Sequence, residues 1–179
     1  MKKPEYLAAR SAAAEMILTA GIQISQNEAA NIEVVDFGLK DLKKEGAQIL
    51  TLLQTQRISV KIIALFPGQT EPEHWHPRVG KDPGKEETIR VVKGILYLYQ
   101  PGEGNFKIGK IPENKDGVYT CRNEMVMQVN DQITFKPGTK HWFRAGSDGA
   151  VVYSFSTIAR DILDRFTDPA VVRITKIED

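Results

Sequence analysis

The chain has a single cysteine, Cys121, among 179 residues. No intrachain disulfide can form, which suits a reducing compartment and leads us to expect a cytoplasmic protein. Cys121 sits in the polar stretch Thr120-Cys121-Arg122-Asn123 with no CxxC partner, so it reads as an incidental thiol. Long hydrophobic runs are also missing. The alanine-rich stretch from Ala8 to Ala20 is broken by Arg10, Ser11 and Glu15, and nothing approaches the ~20 apolar residues of a membrane span. No membrane partner is expected. Neither sign of charge dominates: 24 Lys and Arg against 23 Asp and Glu leave a formal net charge of +1. Nucleic acid as a partner needs a basic face, and this balance argues against one. Histidine is scarce, with only three in the chain, so where the three fall is informative.

What remains is ordinary for a soluble globular protein: 41% hydrophobic and 26% charged residues. The length suits one domain, which we divide into a helical N-terminal extension (1–45) and a β-barrel with a C-terminal tail (46–179). Residues 5–20 carry Leu7, Ala8, Ala12, Met16, Ile17 and Ala20 at helical spacing, with Gly21 placed to end the helix. Ser25 and Glu28 match a capping box for a short helix near 26–32. From about residue 46 short apolar segments alternate with turn residues. Strands are expected at 47–55, 59–66, 88–99, 125–129, 132–135, 141–145, 150–157 and 171–176. Many short strands at this spacing predict a sandwich or closed barrel. In the second of them Val60, Ile62 and Ala64 face one way and Ile63 and Leu65 the other. A strand apolar on both faces is central or buried in an interface, and on that basis a homodimer is expected.

The chemistry concentrates in Glu73-His74-Trp75-His76-Pro77. Residues two apart on a strand share a face, so His74 and His76 point together while Trp75 points away. Two imidazoles on one face make a ready metal site. The third histidine, His141, follows the turn Pro137-Gly138-Thr139-Lys140. A carboxylate should complete the set, and Glu86 and Glu87 both open the strand at 88–99. Three neutral nitrogens and one carboxylate suit Mn, Fe, Co, Ni or Zn, and an octahedral ion would keep two positions for substrate oxygens. Lys85 shares the parity of Glu87 and can face the same cavity, where it could stabilise an oxyanion. Glu73 alternates with His74 and is a candidate to bind substrate from the rim. Asp161 and Asp164 lie in the tail, where they could bind substrate hydroxyls.

This arrangement resembles the cupin superfamily. Its first motif is matched by Gly68, five residues, His74-Trp75-His76, then Glu87, six residues, Gly94. The match selects Glu87 over Glu86. The spacer Pro77–Glu86 is longer than usual, so a loop must bulge there. The second motif keeps Pro137-Gly138-Thr139-Lys140-His141, but its final asparagine position is Ala145. The wider wording is similar to the cupin-type D-lyxose isomerases, notably in Leu65–Thr70, Glu73–Pro77, Gly84–Arg90, Tyr97–Tyr99, Thr139–Phe143 and Phe166–Pro169. The resemblance implies a mainly β fold, the double-stranded β-helix or jelly-roll barrel. It implies a sugar ketol-isomerase that uses manganese to interconvert D-lyxose and D-xylulose, with D-mannose and D-fructose as a side activity. It makes Arg90 a second catalytic candidate beside Lys85, although strand parity turns Arg90 outward. It also implies an acidic residue near Ser154, where this chain reads Val152-Tyr153-Ser154-Phe155-Ser156. The alternatives are a cupin dioxygenase using Fe(II) on the same ligands and a sugar-binding or transport-accessory cupin without catalysis.

Overall fold

A computed structural model describes residues 1–179. Helix α1 (Lys3–Thr19) has Pro4 in its first turn, where the missing N–H leaves no bond unmade. Gly21, at φ +82, follows its last turn, a left-handed position that glycine occupies without strain. Helix α2 (Gln26–Ala30) carries the expected capping box: the Ser25 hydroxyl accepts from Glu28 N–H, and the Glu28 carboxylate accepts from Ser25 N–H.

Nine strands follow: β1 (Glu33–Val35), β2 (Ala47–Gln54), β3 (Ile58–Leu65), β4 (Thr70–Trp75), β5 (Glu87–Gln100), β6 (Asn123–Met127), β7 (Gln132–Phe135), β8 (His141–Thr157) and β9 (Arg165–Phe166). Their order is β1-β2-β3-β8-β4-β9, while β5 runs along β8 and also pairs with β6 and β7. The 17-residue β8 pairs with β3, β4 and β5, which curls the sheet around its own interior. This is the cupin barrel expected from the motifs.

Alternation along the strands builds two cores. Ile63 and Leu65 of β3 face the barrel interior with Ile89, Val91, Leu96, Leu98, Phe143 and Val152. Ile62 and Ala64 face outward and meet Ala13 and Ile17 of α1. The doubly apolar β3 is therefore a central strand, with Ile62 and Ala64 covered by a helix of its own chain and Val60 outside that contact. On the buried α1 stripe (Ala9, Ala13 and Ile17, four apart) the two alanines let the helix lie close on the sheet, and Ile17 fills the contact.

Gly94 is fixed by geometry. The register of β5 shifts between Val91 and Lys93 and again between Gly94 and Leu96, so the inward row changes from odd to even numbers. At this point Gly94 has φ +79, and a Cβ would lie 2.0 Å from the carbonyl oxygen of Gly149.

Several expectations are corrected. The segments 141–145 and 150–157 form one strand, with β5 pairing on either side of Gly146–Gly149 (Leu96 opposite Ala145, Gly94 opposite Ala150) across a register shift. The N-terminal segment is not wholly helical, since β1 pairs with β2. Val171–Lys176 forms no strand. It lies against the 36–37 turn instead, with Val172 N–H donating to the Phe37 carbonyl and the Thr175 hydroxyl bonded to Asp36.

Candidate active site

Three strands deliver the histidines and the glutamate to one place. β4 carries His74 and leads into His76, β5 opens on Glu87, and β8 opens on His141. One ligand atom from each lies within 4.8 Å of all the others, and all four residues are buried. The second coordination sphere presets the rings. His74 Nδ1–H donates to the Pro72 carbonyl at 2.8 Å, and His141 Nδ1–H donates to the Thr139 carbonyl at 2.8 Å. A carbonyl only accepts, so both rings hold their proton on Nδ1 and turn an Nε2 lone pair inward. His141 Nε2 is buried with no hydrogen-bond partner at all. A buried lone pair without a donor is costly, and a cation among these atoms would satisfy it.

The titration behaviour agrees. Burial pushes the His74 ring down to about 4, assisted by His76, and holds His141 well below its usual range. Burial would also lower His76, but its hydrogen bonds to Asp164 and Glu87, both 2.8 Å, outweigh it and raise the ring. For Glu87 burial favours the neutral acid, yet Lys85 and His76 overcome it and hold the carboxyl well below the carboxylate range. Two neutral imidazoles and an ionised carboxylate are the protonation states that metal ligation requires, while His76, bonded to two carboxylates, would have to give up its Nε2 proton to a bound ion.

The adjoining cavity is polar. Lys61, Glu71, His74, Lys85, Glu87, Asp161 and Arg173 line it, with Ile49, Ile63 and Phe143 as its apolar wall. Lys85 Nζ stands 3.2 Å from Glu87 Oε1 and 3.8 Å from Asp161 Oδ1, so it faces the cavity as parity requires. Asp161 lies in a short 3-10 turn, Asp161–Leu163, and pairs with Lys61 and with Arg173. Its Oδ1 is buried without a hydrogen bond. Asp164 supports the histidine centre, since its carboxylate accepts from His76.

Two expected residues lie elsewhere. Arg90 donates to Gln132 and Asn130 across the sheet, on an exposed face. No bulge intervenes between Glu87 and Arg90, so parity keeps it outside the barrel. Glu73 faces away from His74. Its carboxylate accepts from Thr120 N–H and hydroxyl, Cys121 N–H and the Thr167 hydroxyl. It ties the 101–122 segment and the tail to β4, and it has no capacity left for a sugar. Ser154 donates to Glu87, so no carboxylate occupies that position. Cys121 is buried and unpaired, and burial with nearby Glu73 pushes its thiol up to about 12, which leaves it unreactive.

Sequence reasoning missed Lys61, Glu71 and Arg173. Lys61 was legible, because it shares the inward row of Ile63 and Leu65. Glu71 was not. By alternation it should point outward with Glu73. However, β4 has an extra residue between Glu71, opposite Phe143, and His74, opposite His141. That bulge turns Glu71 inward. Arg173 comes from the irregular tail, where no periodicity marks it.

Barrel and cluster define the class: a cupin with three histidines and one glutamate gathered at its interior. No protein-family model matches the chain. Among curated proteins it is 45% identical over 179 residues to the D-lyxose ketol-isomerase of Cohnella laeviribosi, covering 99% of this chain and 98% of that one. It is 42% identical to the D-lyxose/D-mannose isomerase of Thermosediminibacter oceani, covering 100% and 99%. Among solved structures, the L-ribose isomerase of Cellulomonas parahominis superposes with a TM-score of 0.79 at 16% identity, covering 95% of this chain and 94% of that one. That of Acinetobacter sp. DL28 superposes at 0.80 and 15%, covering 99% and 98%. These structures share the fold. The full-length identity to the curated proteins shows more: the chain belongs to the D-lyxose ketol-isomerase family.

Proposed function

We propose that this protein is a metal-dependent aldose–ketose isomerase acting on D-lyxose and D-xylulose, with D-mannose and D-fructose as a second pair. The observation that carries the reading is the preset ligand cluster opening onto a cavity lined by charged groups. A divalent ion held by His74, His76, Glu87 and His141 would polarise the sugar carbonyl and acidify the adjacent C–H. We take manganese as the preferred ion because the family resemblance implies it; the donor set itself, of intermediate hardness, accommodates Mn, Fe, Co, Ni or Zn.

The chain's own residues divide the remaining work. Lys85, oriented by Glu87 and Asp161, presents an ammonium to charge developing on a sugar oxygen. Asp161 has an uncommitted oxygen for a sugar hydroxyl, while Lys61 and Arg173 hold its carboxylate ionised. Asp164 acts through His76 as a positioning residue. Phe143 and Ile63 exclude water from one side.

A second copy of the chain is part of this proposal. Leu53, Val60 and Phe155 lie side by side across β2, β3 and β8, and Leu53 and Phe155 remain exposed beyond α1. A second copy would cover this apolar row, and light scattering coupled to size exclusion measures that directly.

The enzymatic test incubates Mn(II)-loaded protein with each of the four sugars and follows interconversion by chromatography, with His76→Ala as control. Conversion by the wild type that the variant loses supports the proposal. A fully metallated protein that converts none of them refutes it.

A further inference from the structure

Isomerisation by proton transfer needs a base that reaches C1 and C2, and the acids around this cavity are not equally free to be that base. Glu87 is bonded to His76, Lys85 and Ser154. Asp161 is paired with Lys61 and Arg173. Asp164 is engaged by His76. Glu73 faces outward and is saturated by four donors. Glu71 differs from all of them. It is 8% exposed and lines the cavity beside His74. Neither of its oxygens enters a side-chain hydrogen bond or ion pair, and Oε2 is buried without a partner. A bulge in β4 exists at this residue and turns it inward, so the strand departs from regular pairing to present a carboxyl that does nothing for the fold. In the metal-free chain burial, reinforced by Glu87, pushes this carboxyl up to about 7.

We propose that Glu71 carries the proton between C2 and C1 of the sugar, an inference that rests on the isomerase reading above. The Glu71 carboxylate takes the proton from C2 of the aldose. The C–H electron pair becomes the C1=C2 bond, and the carbonyl π pair moves onto O1. The proton of the O2 hydroxyl passes to the neighbouring O1. The electron pair left on O2 closes the C2=O2 double bond, and C1 takes the proton back from Glu71. One proton has moved from C2 to C1 and one from O2 to O1, with no external oxidant or reductant.

The test uses the metal-loaded full chain and two independent readouts. In Glu71→Gln, metal content by mass spectrometry and binding of xylitol by calorimetry stay at wild-type levels, while kcat falls by ~10²–10⁴-fold. Second, wild-type protein is treated with a five-carbon 1,2-epoxy polyol. The base carboxylate opens the epoxide, forming one C–O bond as the ring C–O bond breaks and the alkoxide takes a proton. Peptide mapping is expected to find the ester on Glu71. A Glu71→Gln variant that keeps kcat within threefold of wild type, or an ester on any other carboxylate, overturns the assignment. The epoxide readout does not depend on the variant folding. Wild-type protein that converts no sugar refutes the isomerase reading itself, an outcome distinct from a wild type and a Glu71→Gln that both convert.

Discussion

Removing the Asp164 carboxylate tests whether the tail tunes the metal centre through a single hydrogen bond. Asp164 Oδ1 accepts from His76 Nδ1 at 2.8 Å, and both side chains are largely withdrawn from water. The bond fixes the His76 ring so that Nε2 faces Glu87 Oε2, also at 2.8 Å. In Asp164→Ala the Nδ1–H loses its acceptor and the ring loses its orientation. Outer-sphere partners of this kind contribute about 10–100-fold to metal affinity, or ~1.4–2.7 kcal/mol at 1.36 kcal/mol per tenfold. Asp164→Asn keeps an acceptor oxygen in the same position and loses only the charge, so it should fall between Asp164→Ala and wild type. Competition with a chelator of known affinity reads the metal dissociation constant directly, without any sugar present. If both variants stay within twofold of wild type, the hydrogen bond does not control the ligand and the reasoning fails.

Glu71→Gln should remove a pH-dependent burden from the metal-free chain. The folded pKa of Glu71 is raised from 4.5 to about 7, so its charged form becomes progressively costly to bury as pH rises from 4.5 to 7. By linkage the variant gains up to about 3 kcal/mol over wild type at pH 8 and little at pH 4, as read by urea unfolding. A gain independent of pH would contradict the assigned cause. Gly94→Ala places a Cβ against the Gly149 carbonyl at a positive φ. It should cost more than about 2 kcal/mol in the same assay, among the larger values for single substitutions. Arg90→Ala removes only bonds to Gln132 and Asn130 on the outer face. Its kcat should stay within twofold of wild type, and a larger loss would show that the outer face communicates with the cavity.

The ligand cluster was legible because strand alternation is a strict rule wherever pairing is regular. His74 and His76 share a face, Glu87 lies in register with the inward Ile89 and Val91, and His141 begins the row that continues through Phe143 and Ala145. The same rule placed Lys85 inward and Arg90 outward, which is where the structure has them. It would also have found Lys61, a charged residue in an otherwise apolar inward row. Legibility ended where pairing is irregular. The bulge in β4 reverses the face of Glu71, and no residue of Thr70-Glu71-Pro72-Glu73 announces it beyond a proline that a regular interior strand would exclude. The tail failed for a different reason. Val171–Lys176 has the β-branched content of a strand, but it docks by single hydrogen bonds to Phe37 and Asp36, tertiary contacts that local composition does not encode.

The origins of the site residues imply a division between metal and substrate. His74, Glu87 and His141 sit at strand ends whose ladders lock them in the barrel, and His76 follows β4 directly. Asp161, Asp164 and Arg173 all come from the segment after β8, which is held by the two-residue β9 on β4 and by single ties: Thr167 to Glu73, Thr175 to Asp36, and the Met1 ammonium to the Lys176 carbonyl. Long strands thus fix the histidine–glutamate cluster, and the tail supplies charged groups that line the adjoining cavity. The two parts meet at Asp164 with His76 and at Asp161 with Lys85. Changes elsewhere in the tail can therefore reshape the cavity while leaving the histidine–glutamate cluster intact.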